Sequence, residues 1–218
     1  MILFVLAPGY MRRRQTAWVH AWGRSILFLF GVKVSVHGAE RRTAPGAALV
    51  LFNHAGLLDL MVLAAQWDQD STVIYKREFH RIPVIGFVMR RLGMIAIDRH
   101  DRELAVASLE AAAALVRSRQ CKVFLAPEGT RSRRGGVQEF KLGAFHLAVA
   151  TRAPILPTLL RGISQLNSSK SWLIRSGTVR LDYLEPVSTA NWQEKTVREH
   201  AAEIRSIFLR YLPPAPTA

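Results

Sequence analysis

Ala47-Ala48-Leu49-Val50-Leu51-Phe52-Asn53-His54-Ala55-Gly56-Leu57-Leu58-Asp59 is the stretch on which the reading of this chain turns. Ala47 to Phe52 is a continuous apolar run, the pattern of a strand buried on both faces. After Gly56, Leu57, Leu58, Leu60, Met61, Leu63 and Ala64 are apolar at helical spacing, which predicts a helix over 57–67. His54 therefore falls on a strand-to-helix turn, with Asp59 about one turn into the helix. A carboxylate there can reach back to the imidazole, fix its tautomer and stabilise the imidazolium once it takes a proton. No serine or cysteine lies beside the pair as a nucleophile. Such a dyad suits a base that activates a hydroxyl on the substrate. The plainer alternative is a solvated helix cap.

Working outward, strand and helix patterns alternate. Strands are expected at 32–36, 47–52, 72–75, 94–97, 123–125 and 155–160, with an edge strand at 179–183. Helices are expected at 57–67, 83–92 (with Pro83 in its first turn), 101–117 and 141–150, and a last one within 191–212. The expectation is an α/β fold: a single domain, a mixed, mostly parallel sheet flanked by helices. The domain would span 32–212, followed by a frayed tail at 213–218. Residues 1–31 would form an N-terminal membrane-associating helical segment.

That last expectation rests on composition. Ile2 to Ala7 is apolar but precedes Arg12-Arg13-Arg14, the reverse of the order in a secretory signal. This run and Ile26 to Val32 both fall short of the ~20 residues of a spanning helix. Trp18, Val19, Trp22 and Ile26, interspersed with Arg14, Gln15 and Arg24, fit a helix lying in a membrane interface; an ordinary packed helix fits equally well. Met11 is an alternative start. The 218 residues carry 30 Lys+Arg against 16 Asp+Glu, a net charge of +14. A surface so basic seeks polyanions, whether nucleic acid, anionic membrane or phosphorylated substrate. A single cysteine, Cys121, excludes an internal disulfide, and no Cys/His cluster has metal-ligand spacing.

Two further turns carry polar residues at strand ends, where ligands of open α/β sheets gather. Pro127-Glu128-Gly129-Thr130-Arg131-Ser132 follows the 123–125 strand. Gly129 permits close backbone approach, Thr130 and Ser132 offer hydroxyls, and Arg131 offers a fork that fits a phosphate. Glu128 would repel phosphate, so it is expected to pair with an arginine or accept from a substrate hydroxyl. Arg133 and Arg134 read as a solvated loop, with Lys141 close behind. Gly93 to Ile97 leads into Asp98-Arg99, either a surface pair or a second phosphate-binding arginine. Lys76 closes the 72–75 strand.

In this order, these residues resemble the phospholipid and glycerophosphate acyltransferase family (the PlsC-like acyltransferases). Four motifs match: Asn53 to Asp59 as the NH-x4-D motif, Gly93 to Arg99, Pro127 to Ser132, and Ala153-Pro154-Ile155-Leu156-Pro157. Lys76-Arg77-Glu78-Phe79, Ile82 to Gly86 and Phe140 to Phe145 are similar too, so the likeness covers residues 30 to 190. The resemblance implies acyl transfer from acyl-CoA or acyl-carrier protein to the free sn-2 hydroxyl of 1-acylglycerol-3-phosphate, giving phosphatidic acid. His54 would be the base and Asp59 its orienter. Asn53, Lys76, Arg99, Glu128, Gly129, Thr130, Arg131 and Lys141 would bind substrate, Lys76 against the developing oxyanion. No metal and no cofactor beyond the thioester are implied. The chain departs from the family at Gly56, where Ser is common, and at Ala126, where Phe is common; both put the acceptor in question. Partners would be the thioester carrier, a lysolipid and an anionic membrane surface, at the cytoplasmic face of the cell membrane. Alternatives are acylation of another lysolipid, such as lyso-ornithine lipid, or a non-catalytic basic protein that binds membrane or nucleic acid. No nucleic-acid-binding signature supports the last.

Overall fold

A computed structural model describes residues 8–98, 101–132, 136–167 and 173–214. The run Ala48–Phe52 forms strand β2, and all five of its residues are buried. Leu49 and Leu51 enter one apolar core while Val50 and Phe52 enter the other, the period-2 alternation of a strand covered on both faces. Each such aliphatic side chain contributes roughly 1.5–3 kcal/mol by leaving water. That is why β2 sits mid-sheet.

The elements run in chain order α1 (Pro8–Leu29), β1 (Val32–His37), α2 (Ala39–Thr43), β2, α3 (Leu58–Ala64), β3 (Ser71–Lys76), α4 (Pro83–Arg91), β4 (Ile95–Ile97), α5 (Arg102–Arg119), β5 (Lys122–Leu125), α6 (Gly143–Thr151), β6 (Ile155–Arg161), α7 (Ile163–Leu166), β7 (Gly177–Tyr183) and α8 (Val197–Leu209). The sheet order is β1-β7-β6-β2-β5-β3-β4. Of these strands, only β6 and β7 pair antiparallel with each other. The single α/β domain with a mixed, mostly parallel sheet is as expected.

α5 starts where its chemistry dictates: the Asp101 carboxylate accepts the amides of Glu103 and Leu104 at 2.7 and 3.0 Å. Residues from α5, α6 and α8, among them Val116, Phe145 and Phe208, fill one core. α1 and α3 fill the other through Leu27, Leu58 and Val62. α1 lies so close to α3 that a Cβ built on Gly23 would stand 2.5 Å from the Ala65 nitrogen. Gly23 and Leu27 face inward, whereas Trp18 (72% exposed), Trp22, Phe28 and Leu29 face out. The packed-helix reading holds for the inner side of α1, and the outer side leaves its aromatic and apolar residues uncovered. Among the described residues no helix is long and apolar enough to cross a membrane. Residues 1–7 and 215–218 lie outside the described residues.

β7 is not an edge strand. β1 takes the edge and pairs parallel with it, from Val32↔Gly177 to His37↔Asp182. α2 and α7 lie in stretches for which no element is expected from the sequence, and α3 ends at Ala64 rather than Trp67.

Asp182 is a buried acid on β7. Arg161 donates to one of its oxygens at 2.6 Å and Arg180 to the other at 2.7 Å. Burial raises its carboxyl pKa, but the two guanidinium bonds outweigh burial and hold it below the usual aspartate range. A depressed pKa gives stability that is present above the unfolded value, near 3.9, and is lost as pH falls through the folded one. Asp182→Asn is therefore expected to flatten the acid limb of stability by about 1 kcal/mol, the partly exposed arginines being screened by solvent. Urea titrations from neutral pH downward check this. An unchanged acid slope would remove Asp182 from the account.

Candidate active site

β2, β5 and β3 run parallel, so the segments after Phe52, Leu125 and Lys76 emerge at one end of the sheet. At the end of β2, Asn53 accepts the Leu160 amide at 2.8 Å and donates to the Leu160 carbonyl at 2.9 Å. Expected among the substrate-binding residues, Asn53 instead has both polar ends of its side chain engaged by the backbone of β6. It fixes the point from which the His54 turn departs.

Asp59, 1% exposed, lies in the first turn of α3 and reaches back over that turn. One oxygen lies 2.5 Å from His54 Nδ1 and accepts the Ala55 and Gly56 amides at 2.8 and 3.1 Å; the other accepts the Gly56 amide at 3.2 Å. Burial pushes the Asp59 carboxyl up, opposed by the hydrogen bonds from His54, Gly56 and Ala55. With Asp59 as acceptor, the Nδ1 position carries the proton and Nε2 keeps its lone pair. The His54 side chain remains 31% exposed, with Phe52 packed edge-on at 6.2 Å between ring centroids.

Gly56 has little room for the serine common in the resembling family. A Cβ there would meet the Asn167 side-chain oxygen at 3.0 Å and the Asn167 carbonyl at 3.2 Å. That same side-chain oxygen accepts the Leu57 amide at 3.0 Å, just ahead of α3. Asn167, 1% exposed, had no signal in the sequence, since it acts across 110 positions.

The 127–132 turn clamps His54 from the other side. Glu128 Oε1 accepts the His54 amide at 2.9 Å, and the Ser132 amide donates to the His54 carbonyl at 2.9 Å. Glu128 Oε2 accepts the Gln138 amide at 3.1 Å, and the Gln138 side chain donates to the Thr130 carbonyl at 3.1 Å. Glu128 is 1% exposed, and burial pushes its carboxyl up. Among the described residues its partners are backbone amides rather than the expected arginine. Gly129 turns the chain with φ +72°, in the left-handed region that glycine adopts freely.

Next to this turn opens a groove of about 500 Å³. Ile74, Ile97, Leu109, Leu125 and Ala144 give it an apolar wall, and Lys76, Gly129, Thr130 and Lys141 give it a polar rim. Glu128 also lines it, so the groove and His54 share one carboxylate. Asp98 is on the rim too, 3.8 Å from the Arg77 guanidinium. Arg131 is exposed beside Thr130 and does not line the groove. Arg99, Arg133 and Arg134 lie outside the described residues. Among the described residues, no group of three or more His, Cys, Asp or Glu could hold a metal ion.

Known proteins place this arrangement. The family model for Acyltransferase matches residues 33–161. The 1-acyl-sn-glycerol-3-phosphate acyltransferase of Salmonella typhimurium is 34% identical over 191 residues, covering 87% of this chain and 76% of that protein. The enzyme of the same name from Cocos nucifera is 28% identical over 215 residues, 98% of this chain and 69% of that protein. The crystal structure of the 1-acyl-sn-glycerophosphate acyltransferase PlsC from Thermotoga maritima superposes with a TM-score of 0.74 at 24% identity, over 92% of this chain and 81% of that one; at this identity it speaks for the fold. The chain thus belongs to the Acyltransferase family and is an enzyme of the acyltransferase class.

Proposed function

We propose that this enzyme transfers a fatty acyl group from an acyl thioester, acyl-CoA or acyl-carrier protein, to the sn-2 hydroxyl of 1-acylglycerol-3-phosphate, giving phosphatidic acid. The observation that carries the reading is the His54–Asp59 pair at 2.5 Å beside a groove with an apolar wall and a polar rim that includes Lys76 and Lys141. His54 Nε2 takes the proton from the acceptor hydroxyl as its oxygen attacks the thioester carbonyl. The tetrahedral intermediate collapses, the carbon–sulfur bond breaks, and the imidazolium returns the proton to the leaving thiolate. Asp59 holds the ring and stabilises the imidazolium. Lys76 faces the developing oxyanion. Thr130, Arg131, Lys141, Arg99 and the Gly129 backbone hold the acceptor's phosphate and bring its hydroxyl to His54, while the apolar wall takes an acyl chain. No cofactor beyond the thioester enters this scheme.

The enzyme works from the cytoplasmic face of the membrane, docked through the outer side of α1. Support for the docking comes from the exposed Trp18, Trp22, Phe28 and Leu29 together with the net charge of +14.

A mass-spectrometric assay tests the reading. Purified protein is offered acyl-CoA and acyl-carrier protein against a panel of lysolipids, with His54→Ala as control. Phosphatidic acid made only by the intact enzyme is expected. Product from a different lysolipid alone would move the acceptor, with Ala126, which lines the groove, as the altered wall. No product from any acceptor would end the catalytic reading. Arg131→Ala is expected to raise the acceptor KM about tenfold, the worth of one charge-assisted hydrogen bond, and to leave the donor KM nearly unchanged. Equal rises in both would deny Arg131 the phosphate.

A further inference from the structure

A second cavity, about 220 Å³, opens at the opposite end of the sheet, where β3 and β5 begin. Its lining is polar: Arg91, Arg119, Gln15, Thr16, Ser71 and Asp70 all contribute. Arg91 ends α4 and Arg119 ends α5. Arginines at helix C-termini offset the negative end of the helix dipole, which accounts for one on each helix. It does not account for both meeting one concave site with the side of a third helix. Gly93 brings Arg119 in: its φ is +65°, and a Cβ there would stand 3.4 Å from the Arg119 guanidinium. The reaction does not use this cavity. Its volume is below the ~300–1,000 Å³ of a typical small-molecule pocket, so it suits a headgroup rather than a chain.

The rim says where the headgroup comes from. Gln15, Trp18 and Trp22 share one face of α1 by helical spacing, and both tryptophans are exposed. On α4, Phe87 (59% exposed) and Val88 lie four and three residues before Arg91, again on one face. Both helices at the cavity thus carry exposed aromatic side chains within a turn or two of its polar lining. Tryptophan and phenylalanine with arginine close by are the side chains of helices that lie at the lipid headgroup layer. Asp70 makes the cavity amphoteric. It disfavours bare phosphate and favours a headgroup with its own hydrogen-bond donor.

We infer that this cavity, remote from the catalytic groove, binds the phosphodiester of a membrane phospholipid. Arg91 and Arg119 take the phosphate, and Asp70 takes a donor on the headgroup such as a glycerol hydroxyl. The inference rests on the docking of α1 proposed above, and not on the chemistry at His54.

The test is vesicle binding by the full chain in the His54→Ala background, so turnover cannot alter the lipids. The vesicles are phosphatidylcholine with and without phosphatidylglycerol. Arg91→Gln with Arg119→Gln is expected to weaken phosphatidylglycerol-dependent binding at least tenfold more than Arg14→Gln with Arg24→Gln. The control pair removes the same charge from α1 without touching the cavity. Equal losses in the two double variants would reduce the effect to general surface charge and overturn the site. Soluble short-chain phosphatidylglycerol should perturb Trp67 fluorescence in the parent and not in the Arg119→Gln single variant, which also serves if the double variant melts early; Trp67 lines the cavity. Inorganic phosphate binding as tightly as the short-chain lipid would make the site one for the free anion and overturn the lipid assignment. Failure of acyl transfer in the proposed assay would leave the arginine-dependent binding standing, so the two readings fall separately.

Discussion

His54→Ala is expected to lower kcat for acyl transfer by roughly 10²–10⁴-fold, the range that a positioned general base contributes. The substitution removes the imidazole that contacts Asp59. It leaves the backbone clamp intact, because Glu128 and Ser132 hold the His54 amide and carbonyl rather than the ring. The variant should therefore fold, with a circular dichroism spectrum and Tm close to the parent. Its KM for the lysolipid should change little, since phosphate anchoring belongs to other residues. A low kcat with an unchanged acceptor KM is the signature of an interaction made chiefly in the transition state. Asp59→Asn offers a second reading of the same dyad. An amide cannot stabilise the imidazolium as a carboxylate does, so a large loss is expected there too. If the folded His54→Ala protein turned over at near-parent rates, the base would have to be sought elsewhere.

What could be read in advance followed the range of the interactions. β2 and the start of α3 were legible because burial writes itself into periodicity: five buried residues in a row, then apolar residues at helical spacing. The His54–Asp59 contact was legible because five positions across a strand-to-helix turn is a local distance. The neighbours of a strand are not local. Val179, Leu181 and Tyr183 alternate inward as any half-buried strand does, and nothing in that pattern says that β1 lies outside them. The outward-facing tryptophans of α1 and its inward Gly23 and Leu27 were both in view, but only packing on α3 says which side is which. Glu128 was the plainest misreading. Among arginines and hydroxyls a carboxylate suggests charge pairing, yet its partners are backbone amides, one of them 74 positions away. Backbone donors look alike in every sequence, so a side chain that serves them leaves no mark. Asn53 and Asn167 were hidden in the same way.

That role of Glu128 carries the second large effect. Glu128→Ala is expected to destabilise the protein by about 2–4 kcal/mol, because the His54 and Gln138 amides lose their acceptor in a buried place. It should also lower kcat about 10²-fold. With no carboxylate at 2.9 Å, the His54 turn is free to shift, and misplacement of a reacting group by about an ångström costs that much. Glu128→Gln separates the two consequences. Its amide oxygen can still accept from His54, but the NH₂ meets the Gln138 N–H, donor against donor, so most of the stability loss should remain while kcat partly recovers. Burial already pushes the Glu128 carboxyl up. The folded state therefore holds the protonated form more readily than the unfolded chain does, and this group favours folding most below its unfolded pKa. The parent's stability advantage over Glu128→Gln should accordingly not collapse in mild acid, unlike the Asp182 contribution, which does. Chemical denaturation at neutral and mildly acidic pH, with kcat and acceptor KM for each variant, checks all of this. A Glu128→Ala protein of parent stability with only a raised acceptor KM would mean the carboxylate touches substrate and not the His54 backbone.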